Sequence, residues 1–154
     1  MTVIIDSDQH LYESRTLWSE HIDPGQAHEA LSITDDELGY SWLTWRDRRL
    51  GSADVQFPGD TAAIARHRER AGKNLPSDYV YDEALPDHYW EPSARLDHIG
   101  AMGLDGAVLF PNFGLLWERR LSESLPALKA NMAAWNRWCA TVVSQGAGLS
   151  LIHI

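Results

Sequence analysis

Near the amino terminus, Asp6-Ser7-Asp8-Gln9-His10 spaces three metal-ligand-type groups two residues apart, directly after the β-branched run Val3-Ile4-Ile5. Side chains in a strand alternate between faces, so the spacing predicts Asp6, Asp8 and His10 on one side and Ser7 and Gln9 on the other. A carboxylate and an imidazole on the same face can hold one divalent ion; Zn²⁺ accepts this mix of oxygen and nitrogen, and Mn²⁺ also suits it. Asp8 and His10 are the candidate metal pair, the other reading of His10 being a satisfied turn residue. Asp6 then supports it or simply caps the strand end, while Glu13 either orients the ligands or opens a helix in solvent.

Elements must position these groups. Val3 to Ile5 has the composition of a fully buried strand that ends in polar residues. Leu17, His21 and Ile22 predict a short helix over 14–22, closed by Asp23-Pro24-Gly25. Ala30–Ile33 and Tyr40–Trp45 predict a β-hairpin around the loop 34–39. Asp60 is placed to cap a helix ending at Ala71-Gly72. The stretch 73–91, rich in Tyr and Trp with two prolines, predicts an ordered, lid-like excursion. Pro92 suits the start of a helix that Gly103 stops, and Gly106–Phe110 predicts a second buried strand ended by Pro111-Asn112. Leu125, Leu128, Met132, Trp135, Cys139 and Val142 follow at helical spacing and predict a long helix whose stripe is core. Strand, helix-containing excursion, helix, strand, helix is the order of an α/β fold with a parallel sheet.

The 154 residues carry 13 Lys+Arg against 22 Asp+Glu, a net charge of -9. The densest basic run, Arg66 to Lys73, is interrupted by Glu69, so a nucleic-acid partner is not expected. One cysteine, Cys139, excludes an intramolecular disulfide framework and a Cys-rich zinc cluster, and fits a reducing, cytoplasmic setting. The opening Met-Thr-Val-Ile-Ile-Asp lacks the basic and long apolar regions of a secretory signal. The apolar region 101–117 is broken by Asp105, Pro111 and Asn112, so no membrane segment is expected.

Three separated segments carry a family resemblance. Val3 through Glu13 resembles the first-strand motif of the amidohydrolase superfamily, in its amidohydrolase-related branch that includes aromatic-acid and aminocarboxymuconate-semialdehyde decarboxylases. That motif is often I-D-x-H-x-H, and a subgroup has an acidic residue for the first histidine; Asp8 and His10 match the two ligand positions. Arg95 through Pro111 is similar to the family's helix and second barrel strand, and Ala134-Trp135-Asn136-Arg137-Trp138 to the next helix. The resemblance implies a (β/α)₈ TIM barrel with the ion at the C-terminal ends of the strands. It implies a metal-dependent hydrolase or decarboxylase, in which the ion activates water or orients a carboxylated, small-molecule substrate. The catalytic base and remaining ligands belong to later strands. Asn112 would face the barrel mouth and touch substrate, and the hairpin, an insertion after strand one, would contribute to a homodimer contact. His98 is expected to be a surface or satisfied residue, and His67 and His88 show no spacing for a shared ion.

A barrel of this kind needs roughly 250 residues, and this sequence supplies two or three strands. Residues 1–148 are therefore expected to be the N-terminal portion of a truncated barrel. Residues 149–154 resemble the translated transposon mosaic end of sequencing libraries, which implies a non-native tail in which His153 is no ligand; the other reading is a short C-terminal strand. Such a fragment is expected to be inactive and to expose sheet edges. Two rival readings stand beside this one. Asp6 and Asp8 fit the D-x-D of haloacid-dehalogenase-like phosphotransferases, although Gln9-His10-Leu11 replaces the small step that follows there. The aromatics of 42–45 and 79–90 could instead form the surface of a non-catalytic α/β interaction domain.

Overall fold

The computed structural model describes residues 2–113, 116–146 and 149–151. In chain order the elements are β1 (Ile5–Leu11), α1 (Leu17–His21), β2 (Leu31–Asp35), β3 (Ser41–Trp45), β4 (Arg48–Ser52), α2 (Ala63–Gly72), α3 (Pro92–Ala101), β5 (Gly106–Pro111), α4 (Glu118–Leu121), α5 (Leu125–Gln145) and β6 (Leu149–Leu151). Short 3₁₀ turns fall at Pro24–Glu29, Tyr81–Glu83 and Asp87–Tyr89. A parallel sheet runs β1-β5-β6, and a separate antiparallel sheet runs β2-β3-β4. Parallel neighbours separated by helices make this the mixed α/β architecture that the element order implies.

The expected hairpin is a three-stranded sheet. After β3 the chain reverses over Arg46-Asp47, with Arg46 at φ 54°, and Trp45 pairs with Arg48. Tight turns of this kind usually announce themselves by Asn or Gly, and here neither is present. The expectation of a fully buried first strand is also corrected: Val3, Ile4 and Ile5 are 67%, 51% and 60% exposed. Among the described residues β1 is a sheet edge, so only its C-terminal part, with Leu11 buried, is covered.

Helix α2 starts at Ala63 with Ala62 at the N-cap, so Asp60 is not the cap; its Oδ1 accepts from the Ala62 amide at 3.3 Å just ahead of the helix. Pro92 opens α3 as the sequence predicts. On α5 the buried stripe is Ala127, Ala130, Asn131, Ala134, Trp135, Trp138 and Val142, whereas Leu125 is largely exposed. Leu128, Met132 and Cys139 flank this stripe rather than form its centre. The alanines decide the face because their small side chains let α5 approach α1 closely. Asn131 is fully buried and ties α5 to the chain entering β2. Its Oδ1 accepts from Leu31 N at 2.8 Å, and its Nδ2 donates to Glu29 O at 2.7 Å and Ala127 O at 2.8 Å.

The excursion 73–91 is ordered and packed. Tyr81 is fully buried and donates to Glu13 O at 3.0 Å, and Trp90 Nε1 donates to Leu85 O at 3.1 Å. Trp45 is buried as well, while Tyr79 and Trp90 are half-buried against the core, so these aromatics do not form the exposed surface of the interaction-domain reading. Burial, and next the nearby Glu13 carboxylate, push the Cys139 thiol up to about 11, which makes it an inert packing residue. Among the described residues no helix is long and apolar enough to cross a membrane.

Candidate functional site

The site lies at the end of β1, where the strand does not alternate simply. Asp6 pairs with Ala107 and Gln9 with Leu109, so two residues, Ser7 and Asp8, oppose one. This bulge carries one extra residue and re-aims the side chains that follow it. Gln9 Nε2 donates to Asp6 Oδ2 at 3.0 Å, and the Asp8 amide donates to Asp6 Oδ1 at 3.0 Å. These bonds, the Gln9 one foremost, hold the Asp6 carboxyl below the usual carboxylate range. The expected one-sided trio is therefore corrected: the bulge ties Asp6 back to Gln9, from the opposite set.

Asp8 and His10 line one cavity of about 530 Å³, together with Gln9, Tyr12, Arg95 and Asn112; the loop 56–61 forms its far wall. Asp6 is not among the lining residues, an awkward place for the nucleophile of the phosphotransferase reading. The His10 ring lies 6.1 Å from Phe110, its partner across the sheet. Among the described residues no three His, Cys, Asp or Glu side chains come together as a metal-holding group. His153 lies outside the described residues.

Glu13 is fully buried, not an exposed helix start. Its Oε2 accepts from Asn112 N at 3.0 Å and its Oε1 from Phe113 N at 2.9 Å, so one carboxylate joins the end of β1 to the chain leaving β5. Asn112 lines the cavity, and its Nδ2 donates to Asp54 O at 3.3 Å. The sequence-predicted residues thus divide. Asp8, His10 and Asn112 meet at the cavity, Asp6 is tied within β1, and Glu13 grips the backbone beneath Asn112.

Arg95 is the site residue that spacing does not reveal. It projects from α3 beneath the strand end, is 3% exposed, and donates from Nη1 to Gln9 Oε1 at 3.1 Å and from Nη2 to His10 O at 2.6 Å. Its guanidinium lies over Tyr89, 4.8 Å from the ring centroid. Burial lowers its pKa, yet an arginine stays charged. The sequence does place Arg95 one helical turn from Pro92 and from Ile99, the other buried residues of α3.

His98, expected as a surface or satisfied residue, lines the cavity, half-buried and stacked on His88 with centroids 3.9 Å apart and planes 8° apart. His67 is elsewhere, bonded through Nδ1 to Asp78 at 2.7 Å and stacked on Tyr79. Burial, then the neighbouring His98 and Arg95, lower the pKa of His88 below its ordinary 6.5, against the pull of Asp87. A depressed imidazole pKa means that protonation opposes folding, so this contribution is complete above pH 6.5 and is lost as pH falls from 6.5 through the folded value. The urea midpoint should therefore decline below that pH, and decline less in His88→Phe, which keeps the ring but removes the proton site. Parallel midpoint curves for the two proteins would show that His88 does not report on this contact.

In fold, the chain is similar to an amidohydrolase from Mycobacterium avium subsp. paratuberculosis K-10, with a TM-score of 0.62 at 17% identity over 99% of this chain. The match spans 42% of that protein's length. No protein-family model matches the chain, and no curated protein matches it.

Proposed function

We propose that this chain is the N-terminal portion of a metal-dependent, amidohydrolase-related enzyme, a hydrolase or decarboxylase built on a TIM barrel. The observation that carries this reading is that Asp8 and His10, the residues matching the family's ligand pair, line one cavity at the C-terminal end of a parallel strand. The amidohydrolase fold neighbour supports it, because this chain overlays less than half of a longer protein. The exposed, β-branched Val3 to Ile5 at a sheet edge also suits a strand meant for further neighbours.

One carboxylate and one imidazole fit Zn²⁺ or Mn²⁺ in chemistry, and as two donors they make half of a tetrahedral shell. A divalent ion in such a place supplies Lewis-acid polarisation of a substrate oxygen. The chain's own residues do the rest of what is proposed for this part of the site. Asn112 offers a carboxamide to a small carboxylated or cyclic substrate, and Glu13 fixes where Asn112 stands. The three-stranded insertion β2-β3-β4 is proposed as a homodimer contact of the whole enzyme.

Calorimetric titration of the purified chain with Zn²⁺ tests the reading. Weak binding is expected, lost in both Asp8→Asn and His10→Ala, with no turnover of carboxylated or cyclic amide substrates. Zn²⁺ binding that survives both substitutions would remove the metal assignment. Turnover by this chain, abolished in Asp8→Asn, would refute the proposal that it is only a portion of the catalytic unit.

A further inference from the structure

Backbone, with the Phe110 ring 6.1 Å from the His10 ring, places the two candidate ligands. Among the described residues no hydrogen bond engages the Asp8 carboxylate or the His10 ring, so their directions are set by the chain between them. The bulge at Ser7-Asp8 lies at the start of that chain, where pairing to β5 is interrupted before it resumes at Gln9 and the sheet cannot define the backbone alone. A line of side chains takes over there. Asp8 N donates to Asp6 Oδ1, Gln9 Nε2 donates to Asp6 Oδ2, Arg95 Nη1 donates to Gln9 Oε1, and Arg95 Nη2 donates to His10 O. The path begins on the backbone of one candidate ligand and ends on the backbone of the other.

We propose that the Arg95–Gln9–Asp6 path is the positioning device of the Asp8/His10 pair, with Arg95 its anchor; this rests on the metal reading given above. Chemistry favours each member. Position 9 must accept from a guanidinium and donate to a carboxylate at once, which an amide does and a glutamate does not. Position 95 must donate to two separate oxygens from a fixed plane, which suits arginine's fork and not the point charge of lysine. A buried guanidinium that, among the described residues, has no carboxylate within ion-pair distance and no partner for Nε is costly for stability alone. Its placement is explained by what it orients.

Co²⁺ is the probe, because its visible bands report coordination as well as affinity. In Gln9→Leu and Arg95→Met, Co²⁺ affinity should fall roughly tenfold or more, the scale found for residues that orient metal ligands, with altered bands. Arg95→Lys, which keeps the charge and one bond to His10 O, should recover part of the loss. His28→Ala, at an exposed position outside the cavity, should bind as the unmodified chain does.

If Co²⁺ binding to the unmodified chain is absent, or is insensitive to Asp8→Asn, the metal reading fails and this inference falls with it. If binding depends on Asp8 and His10 yet Gln9→Leu and Arg95→Met stay within about twofold of the parent, well below the loss expected of an orienting partner, the positioning role alone is overturned. Loss of a cooperative melt in Gln9→Leu, the milder change, overturns it too, since the links would then hold the fold and not the pair.

Discussion

Trp135→Ala is expected to cost about 3–5 kcal/mol of folding stability, the range for truncating a buried tryptophan. Trp135 is 2% exposed on α5 and lies 5.0 Å from Trp138, 6.4 Å from Trp117 and 6.5 Å from Trp18, ring centre to ring centre. It is the shared member of a four-tryptophan cluster that joins α1, α5 and the turn before α4. The cluster is held by shape: the Trp18 and Trp117 Nε1–H groups have no partner among the described residues. Removing the central ring therefore leaves a cavity that its rigid neighbours cannot refill. Against a total of roughly 5–15 kcal/mol for a domain, that loss should bring the chain close to unfolding. A urea midpoint and near-ultraviolet circular dichroism would measure it, with Trp135→Phe losing much less. A cost below about 1 kcal/mol would mean that this cluster is not the core of the packing.

Glu13→Ala should be nearly as damaging, at roughly 3–5 kcal/mol, since a bond to a charged acceptor is worth about 1.5–3 kcal/mol and two backbone amides lose theirs. Asn112 N and Phe113 N would be left without their carboxylate acceptor. Glu13→Gln should fall between, because the amide accepts through one oxygen and presents an N–H₂ to the other donor. Hydrogen exchange at the Asn112 and Phe113 amides, with the urea midpoint, checks both points. Unchanged protection of those amides in Glu13→Ala would sink the claim that this carboxylate joins the ends of β1 and β5.

The same two residues show where the sequence is informative and where it is not. Trp135 lies on a long apolar stripe, and helical periodicity is a local property, so α5 is legible from its own residues alone. Glu13 owes its role to amides 99 and 100 residues away, which no local pattern contains. The elements α3 and β5 are visible for the same reason as α5: Pro92 and Gly103 bracket a helix, and Gly106–Phe110 is a short apolar run. Strand β4 is not, because Arg48-Arg49-Leu50-Gly51-Ser52 has neither alternation nor a turn signal and is held by pairing to β3.

By itself, then, the sequence determined the α/β order, the parallel strands β1 and β5, and the carboxylate and imidazole two residues apart at Asp8 and His10, since these follow from side-chain chemistry and short-range spacing. The tertiary structure decided that a bulge, and not simple alternation, sends Asp6 away from the cavity and brings Gln9 to it. It also decided that Arg95, 85 residues beyond His10, grips that residue's carbonyl. Both depend on which strands and helices lie side by side, and that is settled by packing across the whole chain.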